Sequence, residues 1–227
     1  MEITTSIDLD NSSKVYPLLF SDEQKITKLL SQKFSDSTLA YSEYIINFGI
    51  TDDDDKAYFI RGIDELALES LGLPMLPDDT AFSSQEIDKQ KVLLRIPIIK
   101  VEEGGFSSSN FVEYQISLTP YPTNLPPLDV LDIYSDTIFV NKNVLKSIVE
   151  NMYQISWDSF IERYDGGESF GIEAINRMFV YVDKLSDVKN VANTLKVNGY
   201  AIRYTLSAFD DISKSISGNY LVMGYFK

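Results

Sequence analysis

The chain has 227 residues, 20 Lys and Arg against 34 Asp and Glu, a net charge of −14, and neither histidine nor cysteine. Those absences exclude disulfides, thiolate nucleophiles, Ser-His-Asp and Cys-His triads, and zinc sites built on imidazole or sulfur. The acidic balance argues against a nucleic-acid partner, because neutralising phosphates needs clustered Lys and Arg.

A hydrophobic fraction of 44% and a charged fraction of 24% are those of a folded chain, sized for one large domain or two small ones. No run approaches the roughly 20 apolar residues of a membrane span. The first ten residues, MEITTSIDLD, hold three acids and no base, so no signal peptide is read there, which taken literally means a cytoplasmic protein.

In chain order, Ile3–Leu9 alternates as a strand and a break follows at Tyr16-Pro17. Ser21-Asp22-Glu23-Gln24 reads as a capping box opening a helix, with Ile26, Leu29, Leu30 and Phe34 along one stripe. Leu39–Ile50 is aromatic and β-branched, a strand. Asp52–Asp55 cannot pair with itself in a sheet, so it is a turn into the next strand, Ala57–Ile63, making a hairpin.

The middle of the chain has another texture and holds seven of the eight prolines. Val92–Val101 and Phe111–Leu118 read as strands, with Glu102–Asn110 as a Gly/Ser-rich connection. Thr137–Val140 is a short strand, and Asn141 caps a helix carrying Val144, Leu145, Ile148, Val149 and Met152.

Near the C-terminus, Met178–Val182 is a strand, and Ser186 caps a helix with Val188, Val191, Ala192 and Leu195 along it. Asn198-Gly199 stops that helix, Gly suiting the left-handed position, and Tyr200–Leu206 follows as a strand. Both ends are thus β-α-β. Two such units in one sheet make an α+β fold of split-βαβ type, with a mostly β insertion between them.

Four motifs invite chemistry. Asp52–Asp55 has oxygen ligands for a hard cation but lacks the Gly and terminal Glu of an EF-hand loop, so a solvated hairpin turn is expected. Ser186-Asp187-Val188-Lys189 matches S-x-x-K without the partner motifs S-D-N and K-T-G, and reads as a helix start. Gly104-Gly105 and Gly166-Gly167 fit no nucleotide-binding pattern and mark turns. Asp158, Glu162, Asp165 and Glu168 near Trp157, Phe160 and Tyr164 are the one arrangement a paired-carboxylate glycosidase would use. Acids this common place such a pair in almost any window, so no catalytic, cofactor-binding or metal-binding residue is assigned.

Three phrases carry a family resemblance: Ala57–Gly72 (AYFIRGIDELALESLG), Asp136–Val149 (DTIFVNKNVLKSIV) and Met178–Ile202 (MFVYVDKLSDVKNVANTLKVNGYAI). With the order of elements, they make the chain similar to the extracytoplasmic (periplasmic core) domain of MacB/FtsX-type ABC transporter permeases. The resemblance implies a porter-like α/β subdomain from residues 1–63 and 173–227, and an inserted, β-rich sabre-like subdomain from 64–172. It implies a short helix after the Ala57–Ile63 strand. It also implies a non-catalytic domain on the outer side of the cell membrane, without cofactors. Such a domain couples motion driven by a cytoplasmic ATPase to an external peptide, lipid or protein, as part of a dimer in the full transporter. The apolar run Tyr220–Phe226 is then the approach to a membrane helix or a last strand of the sheet. Two alternatives belong to other classes: a stand-alone carbohydrate-active hydrolase, and a non-catalytic interaction or immunity module. The net charge favours a cationic partner through long-range steering.

Overall fold

The computed structural model describes residues 1–7, 14–34, 38–70, 74–83, 90–102, 105–121, 137–170, 175–182 and 184–203. The fold is mixed α+β. Its strands are β1 (Glu2–Ile7), β2 (Val15–Tyr16), β3 (Thr38–Thr51), β4 (Ala57–Ile63), β5 (Thr80–Ser83), β6 (Lys91–Glu102), β7 (Gly105–Pro120), β8 (Thr137–Asn141), β9 (Arg177–Val182) and β10 (Tyr200–Arg203). The helices are α1 (Phe20–Phe34), α2 (Glu65–Ser70), α3 (Lys142–Tyr153), α4 (Trp157–Asp165) and α5 (Val188–Val197).

All ten strands belong to one sheet in the order β10-β1-β9-β3-β4-β8-β5-β7-β6, with β2 paired to β1. The first four neighbours in this order are antiparallel. The segments near residues 3–7, 38–63, 177–182 and 200–203 are therefore neighbours, as the sequence pattern requires. Strands of the middle continue the same sheet, through a parallel β4–β8 pair in which Ile60 meets Ile138. At the far end Thr51 of β3 meets Arg95 of β6, so the sheet from β3 round to β6 curls back on itself.

The curl is filled by α3. Val144, Leu145, Ile148, Val149 and Met152 are all buried in it, one stripe at helical spacing. Its start is fixed as expected, since Asn141 Oδ1 accepts from the Val144 N–H at 2.9 Å. The approach to β4 is close: a Cβ on Gly62 would stand 2.7 Å from Leu145 Cδ1. Helices α1 and α5 pack against each other and share the core through Ile26, Leu30, Val191 and Leu195.

Several expectations need correction. Ser21 does not cap α1, which starts at Phe20; the Phe20 and Ser21 N–H groups give to the Asp165 carboxylate at 2.9 and 2.8 Å instead. A partner across the fold displaced the local one. Ser186 lies in a 3-10 turn, Leu185–Asp187, its hydroxyl turned to Asp187 at 3.3 Å, and α5 begins only at Val188. The stretch Gly105–Asn110 is strand, not connection, because it pairs with Ile98–Glu102 across a bulge between Ile98 and Ile99. The middle also holds α4, not among the expected elements, beside the expected α2 and α3. Gly199 has φ +87 and ends α5 as expected. Expectations for 8–9, 71–72, 104, 136, 183 and 204–227 lie outside the described residues.

Candidate functional site

The four acids in and after α4 have different surroundings. Ser156 opens this helix by accepting from the Ser159 N–H. Asp158 and Glu162 are exposed on its outer side. Asp165 is held by the N-terminus of α1, and Glu168 pairs with the Arg163 guanidinium, with its Oε2 at 2.6 Å from Nε. That pairing holds the Glu168 carboxyl below its usual range. Trp157 and Phe160 are buried in an aromatic cluster with Phe20, Tyr153 and Phe170, ring centroids 4.8 to 6.1 Å apart. Trp157 and Phe160 thus belong to the core, with Tyr164 packed against it.

The acidic turn is organised by one of its members. Asp52 is fully buried; its Oδ1 accepts from the Asp54 and Lys56 N–H groups at 2.9 Å each, and its Oδ2 from the Tyr58 hydroxyl at 3.1 Å. Asp53, Asp54 and Asp55 are exposed, with Asp55 at φ +61. One oxygen each from Asp52, Asp53 and Asp54 lies within 4.8 Å of the others. Three donors on Asp52 account for the arrangement without an ion.

What the fold does assemble is a groove of about 500 Å³ between α1 and α4. Phe20, Trp157 and Ile161 form its apolar wall; Glu23, Lys28 and Lys142 bring charge. Behind Glu23 of this lining, the buried Tyr44 hydroxyl gives to Glu23 Oε2 at 2.9 Å. The Lys142 ammonium sits 3.6 Å from Glu23 and 3.4 Å from Asp64, and 5.1 Å above the Tyr44 ring. Four segments thus meet in one ionic cluster: α1, β3, the start of α2 and the start of α3. Burial first, and the Glu23 charge second, push the Tyr44 hydroxyl far above its usual range. It stays protonated and serves as a donor, not a base. Burial likewise raises Tyr153 and Tyr200.

A second ionic group lies across the same strand. Glu43 is fully buried and accepts from Arg61 at 3.1 Å, Arg177 at 2.5 Å and Asn176 at 2.9 Å. It joins β3, β4 and β9.

A recess of about 410 Å³ borders the outer part of β6, from Ile98 to Glu102, with Tyr153, Arg163 and Phe170 opposite. Neither the groove nor this recess was among the sequence expectations. Residues 23, 44, 64 and 142 share no spacing that marks them, and the β6 edge that no described strand covers emerges only from strand pairing. Among the described residues, no helix is long and apolar enough to cross a membrane. No protein-family model matches the chain, and no curated protein matches it.

Proposed function

We propose that the chain is the extracytoplasmic domain of an ABC transporter permease of the MacB/FtsX type, which it resembles in sequence. The observation that carries this reading is the order β10-β1-β9-β3, antiparallel throughout. Two β-α-β units, one from each end of the chain, interleave in it, with their helices α1 and α5 packed together. This order supports a split-βαβ, porter-like half spanning 1–63 and 173–227. The segment 64–172 is then the insertion, sharing the sheet through β4–β8 and bearing the partner-facing surface.

Such a domain works by binding and transmission, not by chemistry. The acids of α4 are exposed, capping or ion-paired, and the buried tyrosines are moved away from neutral pH. Motion driven by a cytoplasmic ATPase reaches the domain through the membrane part of the permease, and an external peptide, lipid or protein is its cargo or signal. Protease shaving of intact cells, followed by immunoprecipitation of the full-length gene product, tests the reading. We expect this segment to be cleaved from outside and a Walker-motif ATPase to co-precipitate. A product that stays in the cytosolic fraction, with no ATPase attached, would overturn it.

A further inference from the structure

Hairpin β6–β7 is longer than the sheet needs. Beyond Thr51↔Arg95 no described strand pairs with β6 on the β3 side, and below Ser117 none pairs with β7 on the β5 side. Pro97, which has no N–H to give a neighbouring strand, stands two residues past the last contact with β3. The outer hairpin also carries three of the exposed large apolar side chains, Val101, Phe106 and Phe111, with Val101 directly opposite Phe106. Long, apolar, unpaired edges are what folded proteins ordinarily cover or blunt.

One of these edges has a shaped neighbour. The 410 Å³ recess touches five consecutive residues, Ile98 to Glu102. The recess therefore follows this stretch of the strand and is not confined to one side chain. The opposite wall is Tyr153 and Gln154 at the end of α3, then Arg163 and Phe170. That wall is fixed: the Tyr153 hydroxyl gives to the Phe170 carbonyl, and Arg163, held by Glu168, lies 5.3 Å from the Phe170 ring.

We infer that the Ile98–Glu102 edge of β6 captures an extended peptide segment of a partner by strand addition. Main-chain hydrogen bonds to the edge hold the segment, and an apolar side chain of it enters the recess against Tyr153 and Phe170. A second copy of the chain is a poorer occupant, because its own helical wall would arrive in the same space. The net charge of −14 selects among extended segments for cationic ones, as an effect on encounter rate. This deepens the reading of a domain that captures an external partner, by naming how that partner is held.

The probe is a capped nine-residue peptide with Val and Phe at alternate positions, Thr between them and Lys at both ends. It is added to the full 227-residue chain, with no membrane or ATPase present, and followed by fluorescence anisotropy and amide hydrogen exchange. We expect saturable binding, with exchange slowed in Ile98–Glu102. N-methylation along one edge of the peptide should weaken binding at least tenfold, whereas N-methylation along the other should leave it within twofold. Equal effects of the two methylations, no binding at millimolar peptide, or protection centred on the Trp157 groove would overturn the inference. So would a doubled mass with a protected β6 edge before peptide is added, which assigns the edge to a second copy. None of these outcomes bears on cell-surface location or ATPase association, so the transporter reading stands or falls separately.

Discussion

Glu43 and Tyr44 are neighbours on β3, and alternation sends them to opposite faces of the sheet, each into an ionic cluster of a different kind. Glu43 is fully buried and held by two arginines and an asparagine drawn from strands that pair with β3 or adjoin it. Tyr44 is buried too, but its partners Glu23, Lys142 and Asp64 keep side-chain exposures of 22 to 31%, and Glu23 and Lys142 line an open groove. A carboxylate removed from water demands complete compensation, so the first cluster is closed and acts as a staple between β3, β4 and β9. In the second, water substitutes for any partner that leaves, so its geometry can be exchanged for contacts to a ligand.

Removing the charge from Glu43 is the strongest way to break the staple. Glu43→Gln leaves Arg61 and Arg177 buried without the carboxylate they share. We expect a loss of about 3–5 kcal/mol in urea unfolding. The same change at Glu23 should shift stability by less than about 1 kcal/mol. Equal losses at both positions would erase the distinction between the faces.

Next in size is Gly62→Ala. Gly62 lies between Arg61 of the staple and Ile63, and its missing side chain admits Leu145 of α3. A methyl group there should cost about 1–3 kcal/mol by overpacking, and it should push away the helix that begins with Lys142. Trp157 emission ought therefore to change while the Glu43 cluster is kept. Trp157 is the only tryptophan in the chain, and its ring centroid is 6.3 Å from that of Tyr44.

These contrasts were only half legible in the sequence. The Asp52–Asp55 run announced the β3–β4 hairpin because like charges cannot face each other across a ladder. Asn141 announced α3 because its cap and its apolar stripe are both local. The start of β7 was hidden, because Gly105, Phe106, Ser107, Ser108 and Asn110 are all exposed and show no alternation. The true cap of α1 was hidden as well, since Asp165 stands 145 residues from Phe20. For the groove, no periodicity links residues 23, 44, 64 and 142; only the packing of α1 and α3 against the sheet brings them together. What the sequence withholds is the set of partners chosen by tertiary packing.

Tyr44→Phe sharpens the comparison through pH. The folded-state pKa of this phenol is raised above its unfolded value of about 10, so the native state keeps its proton longer. Its stabilising effect is fully present below pH 10 and is lost as pH rises above that, because the unfolded chain releases the proton first. The alkaline slope of unfolding free energy should become shallower by about 1.4 kcal/mol per pH unit in the variant. At pH 7 the lost bond to Glu23 should cost only about 1 kcal/mol. An unchanged alkaline limb would mean that the hydroxyl already reaches water in the folded protein.

The smallest effect is expected at Lys142, and there smallness is itself the point. Its ammonium touches two carboxylates and a ring, which would make it a strong candidate for a structural anchor if contacts were simply counted. Yet its side chain is 31% exposed, and both carboxylates have water beside them. The Lys142→Met change keeps the aliphatic stem over Tyr44 and removes only the charge. Stability should fall by less than about 1 kcal/mol, and by less still in 1 M salt, where screening has already weakened the pairs. Removing the charge over the Tyr44 ring, which packs on Trp157, should nevertheless shift the Trp157 emission. A stable variant with altered Trp157 emission places Lys142 in an adjustable groove lining. A loss approaching that of Glu43→Gln would make both faces of β3 staples.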